Sequence, residues 1–179
     1  MRKNQLNVET PIGTLLFNVT AGEGDIEKAY LSECAIEPKI PDGMSVKGSK
    51  AVLLRNTSIK PLRDVVFSCS WHELKEPGYG NSGEGLDAWE WEHNNTLVMI
   101  GTEDDEYLGA RIKLKETTST YYPVTMEDNS IKIHISEYPE NIELTLHFIV
   151  SWNSVPEEVD SSCWYAVDVP HKRVLQECK

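Results

Sequence analysis

Nowhere in these 179 residues do 18 apolar residues run together, so no membrane-spanning helix is expected. No C-x-x-C pair occurs among the four scattered cysteines. There is no G-x-S-x-G elbow for a nucleophilic serine, and no G-x-x-x-x-G-K-[ST] phosphate loop. The zinc-protease pattern H-E-x-x-H fails as well, because WHELKE (residues 71–76) has Glu76 where the second histidine belongs. MRKNQLNVE carries two basic residues with no apolar stretch behind them, so it does not read as a secretory signal, and the cytoplasm is the expected compartment. Cys34, Cys69, Cys163 and Cys178 are accordingly read as free thiols, with Cys69 and Cys163 as small core residues.

Positive charge is missing from one long stretch. The chain has 17 Lys and Arg against 29 Asp and Glu, a net charge of -12. Residues 76–110 hold nine of those acids and neither Lys nor Arg. Such a field repels nucleic acid and anionic membrane and speeds encounter with a basic partner.

What fills the chain is period-2 alternation, interrupted by turn residues at short intervals. QLNVE and TLLFNVT flank TPIG as a hairpin. KAVLLRN and DVVFSCSW flank NTSIKPLR, and Val65, Phe67, Cys69 and Trp71 share one face. TLVMIG, YLGARIKLK, TYYPVTM and SIKIHIS read as further strands. In IELTLHFIVSW the even positions from Ile142 to Trp152 are all apolar, which predicts one core face and one mostly wet face holding His147. SSCWYAVDV closes the series as a strand. Residues 25–36 (DIEKAYLSECAI) supply the one short helix, with Asp25 as its cap. Residues 36–49 read as a loop.

This pattern predicts a single all-β domain over residues 1–179, an antiparallel two-sheet sandwich with an acidic hairpin or loop insertion at about 76–110. The stretch AVLLRNTSIKPLRDVVFSCSW resembles immunoglobulin-like modules, in which a strand ends in a polar turn and a P-L-x-D-V segment starts the next. The resemblance implies an immunoglobulin-like sandwich and no particular function.

The run GYGNSGEGLDAWEWEHNN (residues 78–95) reads as a flexible glycine-rich connection leading into a strand. Trp89, Trp91 and His93 project one way, and Ala88, Glu90, Glu92 and Asn94 the other. Two readings stay open: an edge strand whose charged face discourages aggregation, or a recognition surface with tryptophans beside acids. GTEDDEY gathers Glu103, Asp104, Asp105 and Glu106, an oxygen-rich group suited to calcium, but without EF-hand spacing its default is a solvated hairpin tip. His134 and His147 fall on polar faces of an apparent hairpin closed by EYPEN, with no third ligand. His93 and His171 stand isolated. Cys163, in an apolar strand, has the environment of a raised rather than lowered thiol pKa.

The functional expectation is a non-enzymatic, intracellular protein-binding domain that needs no cofactor and docks a basic protein, for example as an immunity or inhibitor protein against a nuclease. Its expected contact residues are Glu84, Asp87, Trp89, Glu90, Trp91, Glu92, Glu103, Asp104, Asp105 and Glu106. The alternatives are a calcium- or small-ligand-binding sandwich, a hydrolase built on His134 or His147, and, lowest, a nucleic-acid mimic.

Overall fold

Alternating apolar residues become two antiparallel sheets. The computed structural model describes residues 4–22, 26, 29–112, 122–127, 129–157 and 162–178. In chain order the elements are β1 (Gln5–Thr10), β2 (Gly13–Thr20), β3 (Tyr30–Ala35), β4 (Gly48–Thr57), β5 (Leu62–Trp71), β6 (Tyr79–Gly83), β7 (Leu86–His93), β8 (Thr96–Glu103), α1 (Asp105–Ile112), β9 (Val124–Glu127), β10 (Ser130–Tyr138), β11 (Glu143–Ser154), α2 (Ser162–Val167) and α3 (His171–Glu177). One sheet runs β1-β2-β5-β10-β9 and the other β3-β4-β11-β8-β7-β6.

The sandwich is as expected. Between the sheets lie Val65, Phe67, Cys69 and Trp71 of β5 with Leu144, Leu146, Phe148 and Val150 of β11. Phe67 and Phe148 stand 4.7 Å apart by ring centroid, with Phe17 tilted against both. Such offset pairs add to the burial of their area. The β1–β2 hairpin also forms where read, with Thr10 opposite Gly13.

Four elements differ. Residues 30–35 form strand β3 instead of a helix, pairing with β4; Asp25, the expected cap, lies outside the described residues. The reason is lateral: β4 offers an open edge, and strand pairing there outweighs a short, β-branched and aromatic helical pattern. YLGARIKLK is not a strand. Its described part belongs to helix α1, whose Leu108 and Ile112 are buried at helical spacing, and residues 113–115 lie outside the described residues. Within SSCWYAVDV, Ser162–Val167 form helix α2 instead of a strand, burying Cys163, Ala166 and Val167 at a spacing of three and four. EYPEN closes no hairpin, since β10 pairs with β5 and β9 while β11 pairs with β4 and β8. The connection crosses between sheets, as does the one from β4 to β5.

The glycine-rich run is itself an edge strand. Among the described residues β6 pairs with β7 alone, and it is exposed along its length. Its turn, Glu84 at φ 53° and Gly85 at φ 91°, has the left-handed backbone of a two-residue hairpin. Asn94 and Asn95 (φ 49° and 57°) make the matching turn from β7 to β8.

Residues 162–178 cover the outer face of the six-stranded sheet. A second apolar cluster forms there from Ala51, Leu53, Leu86, Ala88, Met99, Ile149, Cys163, Val167, Val169 and Val174. This explains why residues 144–151 of β11 are buried at every position: one face meets the other sheet, the next meets helices. Gly101 of β8 permits the close approach, because a Cβ there would lie 2.8 Å from the Val167 side chain. A disulfide joins Cys34 on β3 to Cys178 just after α3, correcting the free-thiol reading for those two residues; Cys69 and Cys163 are free and buried as expected.

Candidate functional site

Beneath this cover, Thr145, His147 and Ser151 of β11 are buried, not wet. Register with β8 places Ile149 opposite Gly101. Two residues further along each strand, His147 and Glu103 share the same outward face. The Val167–His171 segment passes over them on its way into α3, and α1 flanks them. Together these elements enclose a cavity of about 680 Å³ whose lining includes Glu103, Arg111, His147, Asp168, His171 and Lys172.

At its floor three side chains converge. His147 Nδ1 lies 2.8 Å from His171 Nδ1, and His171 Nε2 lies 2.9 Å from Thr145 Oγ1. His147 Nδ1 is 4.0 Å from Glu103 Oε2. Glu103, His147 and His171 each offer a ligand atom within 4.8 Å of the others. Arg111 holds the carboxylate from the other side, donating from Nε at 2.9 Å to both oxygens and from Nη2 at 2.7 Å to Oε2. Its Nη1 donates to the Thr145 carbonyl, 3.0 Å away.

Burial dominates the electrostatics. It pushes His147 down to about 3, assisted by the Arg111 charge and opposed by a hydrogen bond to the Val169 backbone. His171 is pushed down by burial first, then by His147 and Arg111, against the pull of Glu103. Both imidazoles are therefore neutral at pH 7. Two neutral rings facing through like atoms need one Nδ1 to donate and the other to accept. His147 donates its other ring N–H to the Val169 backbone, so His171 Nδ1 donates and the lone pair of His147 Nδ1 accepts.

The ten residues predicted from the acidic stretch do not form one face. Glu84, Glu103 and Glu106 line the cavity. Asp104 caps α1, its Oδ1 accepting the Tyr107 N–H at 2.8 Å. Asp105 Oδ1 accepts the Val124 N–H at 2.7 Å. Asp87 is buried beside Ser82, and burial raises its carboxyl pKa; Asp105 is likewise raised by burial, with Asp87 and Asp104 adding to the effect. The four acids of GTEDDEY thus end a strand, cap a helix and tie down β9, which is no solvated hairpin tip. Glu90 is half-buried near Glu157, while Glu92 is exposed. Trp91 is only 1% exposed and packs edge-on against Trp71, so it presents no surface to a partner. Trp89 is half-buried against Trp91. Alternation along β7 is as read, but β7 is the second strand in from the edge.

His134 and His147, predicted as neighbours, lie in different sheets. His134 Nε2 sits 3.3 Å from Asp64 Oδ1 at the surface. His171, read as isolated, is the true neighbour of His147. Two signals pointed to it: Ile149 interrupting an otherwise polar face of β11, and the helical spacing of Cys163, Ala166, Val167, Val174 and Cys178.

No family model matches the sequence, and no curated protein matches it. Among solved structures, the chain is similar to one described as "Putative kojibiose phosphorylase from human microbiome", with a TM-score of 0.45 and 8% identity over 97% of this chain and 22% of that one. This chain therefore spans less than a quarter of that protein's length, and a likeness of this order carries no functional argument. Among the described residues no helix is long and apolar enough to cross a membrane.

Proposed function

We propose that this chain is a small-ligand-binding β-sandwich domain, acting by binding and not by catalysis, whose ligand enters the cavity above His147 and His171. The observation that carries the reading is a concave site with Leu86, Val167 and Val169 in its walls and a polar cluster of Glu103, Arg111, His147 and His171 at its floor. Apolar walls with a few convergent polar groups are the ordinary composition of ligand pockets. Glu84, Glu106 and Asp168 also line it, so it favours a neutral or cationic guest. The Cys34–Cys178 bridge supports an oxidising compartment over the cytoplasm expected from sequence.

The test is fragment binding followed by amide chemical shifts on the whole chain. Perturbations confined to residues 84–86, 103–111 and 167–172 are the expected result. Shifts that cluster instead on the other sheet, or none from a broad polar fragment set, overturn the reading.

A second reading, an acidic patch that meets a basic protein, rests on a smaller set than the sequence suggested. Tyr107 is 62% exposed and its ring lies against the Glu84–Gly85 turn, next to Glu106. Aromatic and acidic groups exposed side by side suit a basic partner. Glu84→Lys with Glu106→Lys should slow association with such a partner, most at low salt.

A further inference from the structure

We infer that the floor of this cavity is a binding site for a first-row divalent metal ion of the zinc type, held by Glu103 Oε2, His147 Nδ1 and His171 Nδ1. The inference rests on the pocket reading above and names what the pocket takes.

Donor chemistry comes first. Two imidazoles and one carboxylate form a set that suits zinc, whereas calcium takes oxygen ligands almost exclusively. Ligand atoms about 2.0–2.2 Å from a common ion lie roughly 3–3.5 Å from one another in tetrahedral geometry. The two Nδ1 atoms are at 2.8 Å, and Nδ1 of His147 is 4.0 Å from Glu103 Oε2. These two sides need adjustments of about half an ångström, and the third, from His171 to Glu103, lies within 4.8 Å and closes by side-chain rotation.

Second, every member is held from behind. Metal-bound histidines usually donate their other ring N–H to an oxygen, and bound carboxylates are themselves hydrogen-bonded. Here His171 Nε2 faces Thr145 Oγ1 at 2.9 Å, the Val169 backbone hydrogen-bonds His147, and Arg111 grips Glu103 through three contacts. A ring flip is not required. Moving the His171 proton from Nδ1 to Nε2 would send it to Thr145 Oγ1 and leave both Nδ1 lone pairs turned toward the same point.

Third, the site is closed on the protein side and open on the cavity side. Three protein ligands leave a fourth position free for water or a donor atom of a guest. Glu84, Glu106 and Asp168 around the cavity attract a cation toward it. Arg111 opposes the ion's charge, but its own charge is matched by Glu103, whose carboxylate bridges the two cations.

The experiment uses the full chain with its disulfide intact, dialysed against chelator. Zn²⁺ is added under calorimetry and Co²⁺ under visible absorption. One ion per chain, d–d bands with Co²⁺, and long-range ¹⁵N spectra showing both Nδ1 atoms shifted by Zn²⁺ are the expected results. His147→Asn or His171→Asn should weaken Zn²⁺ at least about 100-fold, and Arg111→Lys, which orients Glu103 and holds the Thr145 carbonyl without being a ligand, about 10-fold. The ¹⁵N spectra need no variant, so the test survives a variant that fails to fold. Absent Zn²⁺ binding, Zn²⁺ binding that leaves both Nδ1 signals unmoved, or tighter binding of Ca²⁺ than of Zn²⁺ each overturns the inference. Fragment binding measured in chelator keeps the two claims apart: fragments bound with no affinity for Zn²⁺ sink the metal site alone, and Zn²⁺ bound at the histidines with no fragment bound sinks the wider pocket reading alone.

Discussion

Nδ1 of His147 and Nδ1 of His171, 24 residues apart in sequence, meet at 2.8 Å beneath the C-terminal cover. Only one proton fits between two nitrogens at that distance. A second would turn two N–H groups against each other and charge the His147 ring, with Arg111 close by and burial penalising that charge. The pair is therefore a neutral unit that the fold keeps neutral.

From this follows a pH dependence of the metal-free protein. Both folded histidines titrate near 3, below the ordinary 6.5. Facing them are Arg111 from α1, Glu103 from β8 and Arg55 from β4. Because the folded values are depressed, the unfolded chain binds more protons below pH 6.5, so stability is full above 6.5 and falls as pH drops toward 3. The slope should reach about 1.4 kcal/mol per pH unit for each histidine. Urea unfolding at pH 7.5, 5.5 and 4.5 measures it. Asp87, Glu90, Asp105 and Asp168, raised by burial, act with the opposite sign as pH falls. The histidine part is therefore read as the difference from the His147→Asn variant. A difference flat from 7.5 to 4.5 would mean that the pair is hydrated or charged in the folded state.

Gly101 and Val167 define a second expectation. A Cβ at Gly101 would press on Val167 at 2.8 Å, so Gly101→Ala should cost about 1–3 kcal/mol by lifting the end of α2 from β8. Val167→Ala removes the obstacle and leaves a void of its own. In the double variant the two losses should be less than additive by at least about 0.5 kcal/mol. Strict additivity in denaturant unfolding would place the strain elsewhere.

The sandwich was legible because alternation is a local property. Val65, Phe67, Cys69 and Trp71 must share a face whatever they pair with. Sheet membership was not, since nothing local in EYPEN distinguishes a hairpin turn from a crossing between sheets. The site was lost for the same reason. His147 sits on a face whose polarity looked like exposure, and its cover comes from residues 162–178, whose apolar run suits a strand as well as a short helix. Acid density misled in another way: Asp104 and Asp105 are spent on backbone N–H groups, a use that composition does not reveal.

Trp91 and Glu92 separate the interior from the surface on adjacent residues. Trp91→Ala should cost about 3–5 kcal/mol, because Trp91 is 1% exposed and wedged against Trp71. Glu92→Lys, on an exposed position of β7, should change stability by less than about 0.5 kcal/mol. If Trp91→Ala proves mild in thermal unfolding, the tryptophan is not sealed, and the recognition-surface reading of β7 regains its central residue.

The disulfide bears on the site through α3. Cys178 follows the helix that starts with His171, and Cys34 lies on β3, the edge strand at the far side of β4. The bridge closes a separation of 144 residues, so Cys34→Ser with Cys178→Ser should cost about 2–4 kcal/mol. The loss should not be uniform. α3 rests on β11 and β4 through few apolar side chains, chiefly Val174, and the bridge restrains its end. Amide exchange should therefore quicken first across residues 171–178, while β11 and β5 in the sandwich core stay protected. If protection falls equally in α3 and in β5, the bridge stabilises the domain as a whole, and His171 is held in place by packing alone.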